Sequence, residues 1–209
     1  IVIEKTKILI KKFTDFSPLY NIIGLAYQRK NKLELSKEHL LNAIRLEKNN
    51  ISAINNLANT YKYLGEYDEA ENFFLKALEL DPNNLFALVN FGNFKKDFGK
   101  VDEAINFYKK VLKINNSLEA VHYNLALVYQ HKGDFKNAIK QADQLLSINP
   151  KFTMADIIIS TSIKYTKNHE HLLSMQNKIK DETLDEKSKI SLNFALGKAH
   201  EDIKEYDKS

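Results

Sequence analysis

The 209 residues carry a formal net charge of +4, with 44% hydrophobic and 28% charged side chains, the balance of an ordinary soluble fold. No apolar run approaches the length needed to span a bilayer, and the absence of cysteine excludes disulfides and thiolate chemistry. Basic residues are interleaved with acidic ones rather than gathered into a stripe with aromatic neighbours, so neither nucleic acid nor a membrane is an expected partner.

Residues 1–16 open with IVIEKTKILIKKF, a lysine-dotted segment lacking the apolar core and cleavage site of a signal peptide. They read as the second helix of a repeat cut at its start, and the cytoplasm is the default compartment. From Ser17 a period of 34 residues takes over, predicting units at 17–50, 51–84, 85–118 and 119–152. Gly65, Gly99 and Gly133 share one position of the unit, Gly24 and Gly92 another. Position 7 holds Ile23, Leu57, Phe91 and Leu125; position 20 holds Ser36, Ala70, Ala104 and Ala138. Within each unit, apolar residues at positions 4, 7, 8 and 11, and again at 20, 24, 27 and 28, have the spacing of one helical face. Two amphipathic helices per unit follow. Gly65, Gly99 and Gly133 fall in the turn between them, and Pro82 and Pro150 close second helices. Asp68, Glu69, Asp102 and Glu103 fall at the starts of second helices, where carboxylates complement the helix dipole and cap free N–H groups.

The cleanest stretch, NNLANTYKYLGEYDEAENFFLKALELDPNN from Asn55 to Asn84, resembles the tetratricopeptide repeat. Leu57-Ala58-x-x-Tyr61, Ala70-x-x-x-Phe74 and Pro82 match its signature, with Ile54 where the family's Trp stands. The likeness covers roughly 17–152. It implies an all-α fold, an α-solenoid wound as a right-handed superhelix of helix-turn-helix repeats, whose first helices line an inner wall that binds proteins or peptides.

Residues 153–189 read as a degenerate repeat: TMADIIISTSIKYTKN as a first helix, a second helix from about Glu170 to Ile179, a polar loop, and a new helix from about Glu186. Residues 190–209 read as a truncated repeat or capping helix, with Leu196-Gly197, then Tyr206, in the positions of a first helix and turn. Both ends are therefore expected to be cut inside the array, and exposed repeat ends could associate with one another. The stretch from Leu173 to Ser209, FALGKAHED above all, is similar to the junction of bacterial proteins in which such an array precedes a sulfotransferase domain. That likeness implies a larger enzyme for which this chain recruits substrate.

No catalytic residue is expected within the chain. Its glycines are isolated rather than clustered into a phosphate-cradling loop, there is no nucleophile elbow, and Ser160 and Ser162 have no neighbouring histidine. His169 and His171 point apart at their spacing and are read as a solvated helix start, not a metal site. No cofactor is expected.

The expected site is the inner wall. One asparagine per unit, at Asn56, Asn90 and Asn124, with Asn59 and Asn93 one turn on, resembles the asparagine ladder of the O-linked N-acetylglucosamine transferase array, which holds an extended peptide by its backbone. An amide offers both donor and acceptor, so such a ladder tolerates any ligand sequence. Tyr63, Phe86 and Tyr123 add contact area, and Arg29, Lys62, Lys96 and His131 form a mildly basic rim that favours an acidic ligand. Asn55, Ala120 and Asn124 stand where chaperone-binding relatives carry their carboxylate-clamping cations, which disfavours that ligand class.

Overall fold

The computed structural model describes residues 2–204 and contains, among them, twelve α-helices and no strand. They fall into two compact units, the first ending at Ile114 and the second beginning at Asn115.

In the first unit α1 (Val2–Lys12) precedes three helix hairpins: α2 (Ser17–Arg29) with α3 (Leu33–Leu46), α4 (Ile51–Leu64) with α5 (Tyr67–Leu80), and α6 (Leu85–Asp97) with α7 (Val101–Ile114). Each hairpin turn needs one left-handed residue. Gly65 and Gly99 adopt φ of +83° and +71°, and in the first hairpin Asn31 takes the same place at +55°. Asparagine is among the few residues with a side chain that visit this region readily. Gly24 and Gly92 serve a different end: a Cβ on Gly24 would lie 2.7 Å from Leu40 Cγ, and one on Gly92 would lie 2.9 Å from Tyr108 Cε1. The bare backbone lets the two helices of a hairpin close on each other. Asn50 and Asn84 start α4 and α6 by accepting from the N–H groups of Ala53 and Ala87. Asp68 and Glu69, like Asp102 and Glu103, lie in the first turns of α5 and α7. The residue flanking α5 is Glu66, whose side chain makes no cap.

The core of this unit is a run of rings and aliphatics, with Phe74 stacked 5.4 Å from Phe91 and Leu40, Leu57 and Ala58 packed around them. Fully burying one such side chain contributes about 1.5–3 kcal/mol. Lys95 breaks the pattern, standing where Tyr27 and Tyr61 stand in the other hairpins. It is only 4% exposed, and its ammonium lies 2.6 Å from Glu71, 2.7 Å from Glu103 and 4.8 Å from the Phe91 ring centre. Desolvation, which pulls its pKa down, is outweighed by the hydrogen bonds to Glu103 and Glu71, which leave it raised.

In the second unit α8 (Glu119–His131) and α9 (Phe135–Ile148) form a hairpin turned by Gly133 at φ +78°. Then come α10 (Thr153–Ser162), α11 (Glu170–Lys178) and α12 (Glu186–Asp202), with α10 packed on both α9 and α12. The second helix of the irregular repeat is thus nine residues long where its counterparts have fourteen. Leu172 and Met175 of α11 pack with Leu192, Ala195 and Leu196 of α12. Tyr206 lies outside the described residues.

The reading of His169 and His171 as a solvated helix start is corrected here. His169 caps α11, its ring accepting from the His171 N–H. The His171 ring is nearly buried between Asp156 and Tyr165, at 3.1 Å and 2.5 Å. Asp156, fully buried on α10, also receives Lys178 at 2.8 and 2.7 Å. Isoleucine, leucine and histidine occupy its place in the preceding repeats, as Ile54, Leu88 and His122. A charge at a core position is tolerated only with partners, and here Lys178 and His171 supply them.

Candidate functional site

Helical spacing puts the amide and aromatic residues of α4 and α6 on one wall of the first unit. Along α4 run Asn55, Asn59 and Tyr63; along α6 run Phe86, Asn90, Asn93 and Asp97. The amides are not equivalent. Asn56 donates from Nδ2 to Asn21 Oδ1 of α2 at 2.9 Å, which closes one rung between neighbouring helices. Asn59 is turned into its own helix, donating to the Asn55 carbonyl at 3.2 Å. Asn93 accepts from the Tyr108 hydroxyl at 2.7 Å and so braces α6 against α7. Asn90 is half-buried and makes no side-chain hydrogen bond among the described residues.

One further amide escaped the sequence-based set. Asn55 is 5% exposed, and its Oδ1 has no hydrogen-bond partner among the described residues. Its signal was present in the sequence: Asn21 and Asn55 occupy the same position in successive units, as Asn56 and Asn90 do. The pair Asn21/Asn56 bonds; the repeat-equivalent pair Asn55/Asn90 leaves an acceptor and a whole amide unused. Unmet buried polar groups are rare in native proteins and ask for an explanation.

Rings flank these amides. Phe86 is 79% exposed and Tyr63 58% exposed, large values for aromatic side chains. The expected basic rim is weaker than its composition suggests. Lys62 forms an ion pair with Asp97 and lies 5.8 Å from the Tyr63 ring centre, and Lys96 stands 3.8 Å from the same carboxylate. Arg29 is exposed and shares a depression of about 190 Å³ with Gln28, Asn31, Leu33 and Tyr63. The structure therefore brings Arg29 to Tyr63, and Lys62 and Lys96 to Asp97.

The remaining expected residues belong to the second unit. Asn124 is half-buried on α8 and engaged in an interaction of its own. Tyr123 is half-buried and tilts on Phe152 with 5.4 Å between ring centres, and His131 is exposed at the end of α8. Sequence reasoning also passed over Gln28 and Gln130, which occupy one position of the unit. Gln28 donates to the Asn56 carbonyl and Thr60 of α4; Gln130 donates to the Ile158 carbonyl, Thr161 and Ser162 of α10. In each of the two compact units one glutamine thus ties a first helix to the next.

Helix hairpins repeating every 34 residues, with side-chain amides bonding successive first helices, define an all-α solenoid of helix-turn-helix repeats. Tetratricopeptide-repeat models match residues 17–50, 51–84, 73–106, 92–133 and 119–152, and the chain belongs to the tetratricopeptide-repeat proteins. No curated protein matches it. Among solved structures it is similar to MamA, with 20% identity, TM-score 0.61, and 92% of this chain and 94% of that one covered. It is also similar to YrrB, described as a TPR protein with an unusual peptide-binding site, at 18% identity, TM-score 0.62, and 88% and 95% coverage. A third is pilF of Pseudomonas aeruginosa, at 19% identity, TM-score 0.66, and 92% and 95% coverage. At these identities the likeness speaks for the fold. Among the described residues no helix is long and apolar enough to cross a membrane.

Proposed function

We propose that this chain is a protein-interaction module whose α4/α6 wall holds an extended peptide segment of a partner. The observation that carries the reading is the unclosed rung: half-buried Asn90 makes no side-chain hydrogen bond among the described residues, one repeat on from Asn56, which bonds to Asn21. A peptide backbone presents an N–H and a C=O to the Asn90 amide, and Phe86 and Tyr63 offer faces for its side chains. The site has amides, rings and paired charges rather than a nucleophile beside a base, so it holds its ligand without transforming it. Because Asp97 shares Lys62 and Lys96, affinity is assigned to amides and rings, and an acidic ligand is favoured only through Arg29 and long-range steering. Asn124, Tyr123 and His131 lie on α8 and belong to a separate candidate surface of the second unit.

The test is peptide selection against the intact chain, followed by fluorescence polarisation. One neutral hydrogen bond contributes about 0.5–1.5 kcal/mol, so Asn90→Ala should weaken a selected peptide roughly 2- to 10-fold while the melting temperature stays put. Asn56→Ala should instead lower stability and leave affinity nearly unchanged. Loss of stability with unaltered binding in Asn90→Ala refutes the reading. Light scattering over a range of concentrations, run alongside, separates ligand binding from self-association through α1, where Val2 and Ile8 are exposed. The alternative, a substrate-recruiting region of a larger sulfotransferase, draws no support from the comparisons; sequence following Ser209 tests it, a phosphate-binding strand-loop-helix there reviving it and further repeats ending it.

A further inference from the structure

The short α11 of the irregular repeat leaves a cavity of about 460 Å³ bordered by α9, α10 and α11, in the second unit and independent of the peptide wall. Ile139, Leu146, Ile159 and Ile163 give it apolar sides. Two carboxylates, Asp143 and Glu170, stand at its edge, and no lysine or arginine lines it. Neither carboxylate takes part in a hydrogen bond or ion pair among the described residues, whereas Lys178, a cation on the same helix as Glu170, is spent on Asp156. His171, the polar wall, is held from both ring nitrogens by Asp156 and Tyr165, so the cavity keeps its shape without a ligand.

We propose that this cavity is a binding site for an alkylammonium or guanidinium group carried on an apolar stem. The stem matches the isoleucine and leucine sides, and the cation meets two solvent-exposed carboxylates that no lysine or arginine of the lining faces. The Asp143 carboxyl titrates above its ordinary range, first through desolvation, with the His171 charge opposing and the like charge of Glu170 adding to it; an entering cation relieves that strain. An anion would face both carboxylates. A divalent metal lacks a cage, since no group of three or more His, Asp or Glu able to hold one occurs among the described residues.

A free amine and a Lys or Arg side chain of a partner both supply this chemistry. The intact chain, labelled with ¹⁵N, is titrated with n-pentylammonium and n-butylguanidinium, with N-acetyl-lysine amide and N-acetyl-arginine amide, and with n-pentanol and pentanoate as neutral and anionic controls. Saturable shifts confined to amides around residues 143, 159 and 170–174 are expected, with at least tenfold weaker binding of the controls. Binding by the capped amino acids as well as the free amines assigns the site to side chains of a partner; binding by free amines alone assigns it to small molecules. Asp143→Asn combined with Glu170→Gln should lose at least tenfold in affinity, and Ser174→Phe, which fills the cavity from α11, should abolish it with the charges intact. Equal affinity for n-pentanol, shifts that spread without saturating, or an unaltered affinity in both variants overturns the proposal.

Discussion

The buried ion pair of the irregular repeat gives the sharpest test of how this fold is held. Asp156 has no exposed surface and the Lys178 side chain is 13% exposed, so the cost of desolvating both charges is incurred whether or not they meet. In Lys178→Met the carboxylate keeps only the His171 imidazole at 3.1 Å. Breaking a buried pair from one side costs about 3–5 kcal/mol, two to three and a half powers of ten in the local folding equilibrium and a large share of a domain's total of about 5–15 kcal/mol. The second charge should behave oppositely. Asp156→Asn/Lys178→Met removes both charges while preserving an oxygen for His171, and should recover most of the loss, because replacing a whole buried pair by neutral groups is often harmless. Repeats open locally, so the measurement is native-state hydrogen exchange at α10 and α11, with urea unfolding by circular dichroism for the global value. The reasoning fails if Lys178→Met lies within about 1 kcal/mol of the parent, or if the double variant is no more stable than the single one.

Two glycine substitutions separate packing from backbone. Gly24→Ala puts a methyl 2.7 Å from Leu40 Cγ and 3.3 Å from the Ser36 carbonyl, so overpacking of about 1–3 kcal/mol should exceed the roughly 1 kcal/mol of helix propensity it gains, read as a lowered melting temperature. Gly65→Ala meets nothing nearer than 4.0 Å, and its expected cost of about 1–2 kcal/mol is purely the left-handed φ; Asn31→Gly at the equivalent turn should therefore be neutral or stabilising. Mild acid acts through His39, whose Nδ1 is buried without a partner against the Tyr27 ring. Its pKa is lowered, by desolvation first and by Lys7 second, with Glu38 opposing. The unfolded chain thus takes up the proton first, so the contribution is complete above the unfolded value of about 6.5 and is lost as pH falls through the folded value. Urea midpoints between pH 7.5 and 5 should fall less steeply in His39→Gln than in the parent, and parallel slopes would count against this account.

Much of the architecture was legible because a solenoid repeats its constraints. The glycine in the turn, the small residue facing the second helix and the asparagine before each of α4 and α6 recur at fixed intervals, so each instance supports the others. The irregular region was harder only where partners mattered. The starts of α11 and α12 were readable to within a residue or so, but the fate of His171 depended on Asp156, fifteen positions earlier and one helix away. The wall was legible as a set of positions and not as a set of states. Spacing places Asn56, Asn90 and Asn93 on one side, yet which amide is consumed depends on what the next helix offers: Asn21 for Asn56, Tyr108 for Asn93. The same holds for charge, since Lys62 and Lys96 read as free cations until Asp97, the third member of the group, is placed.

These cases share a cause. A position that recurs in every unit is explained first by what every unit needs, contact between helices, and informs on function only where, as at Asn90, that contact is not made. Positions that break the repeat must be explained singly. Lys95 in place of a tyrosine is matched by two glutamates and closes on itself, and Asp156, where Ile54, Leu88 and His122 stand in the preceding repeats, is matched by Lys178 and His171. Both substitutions are compensated within the fold, which marks them as structural. The Asn55/Asn90 rung and the Asp143/Glu170 edge of the α11 cavity have no such compensation. The search for a partner therefore starts at those two surfaces.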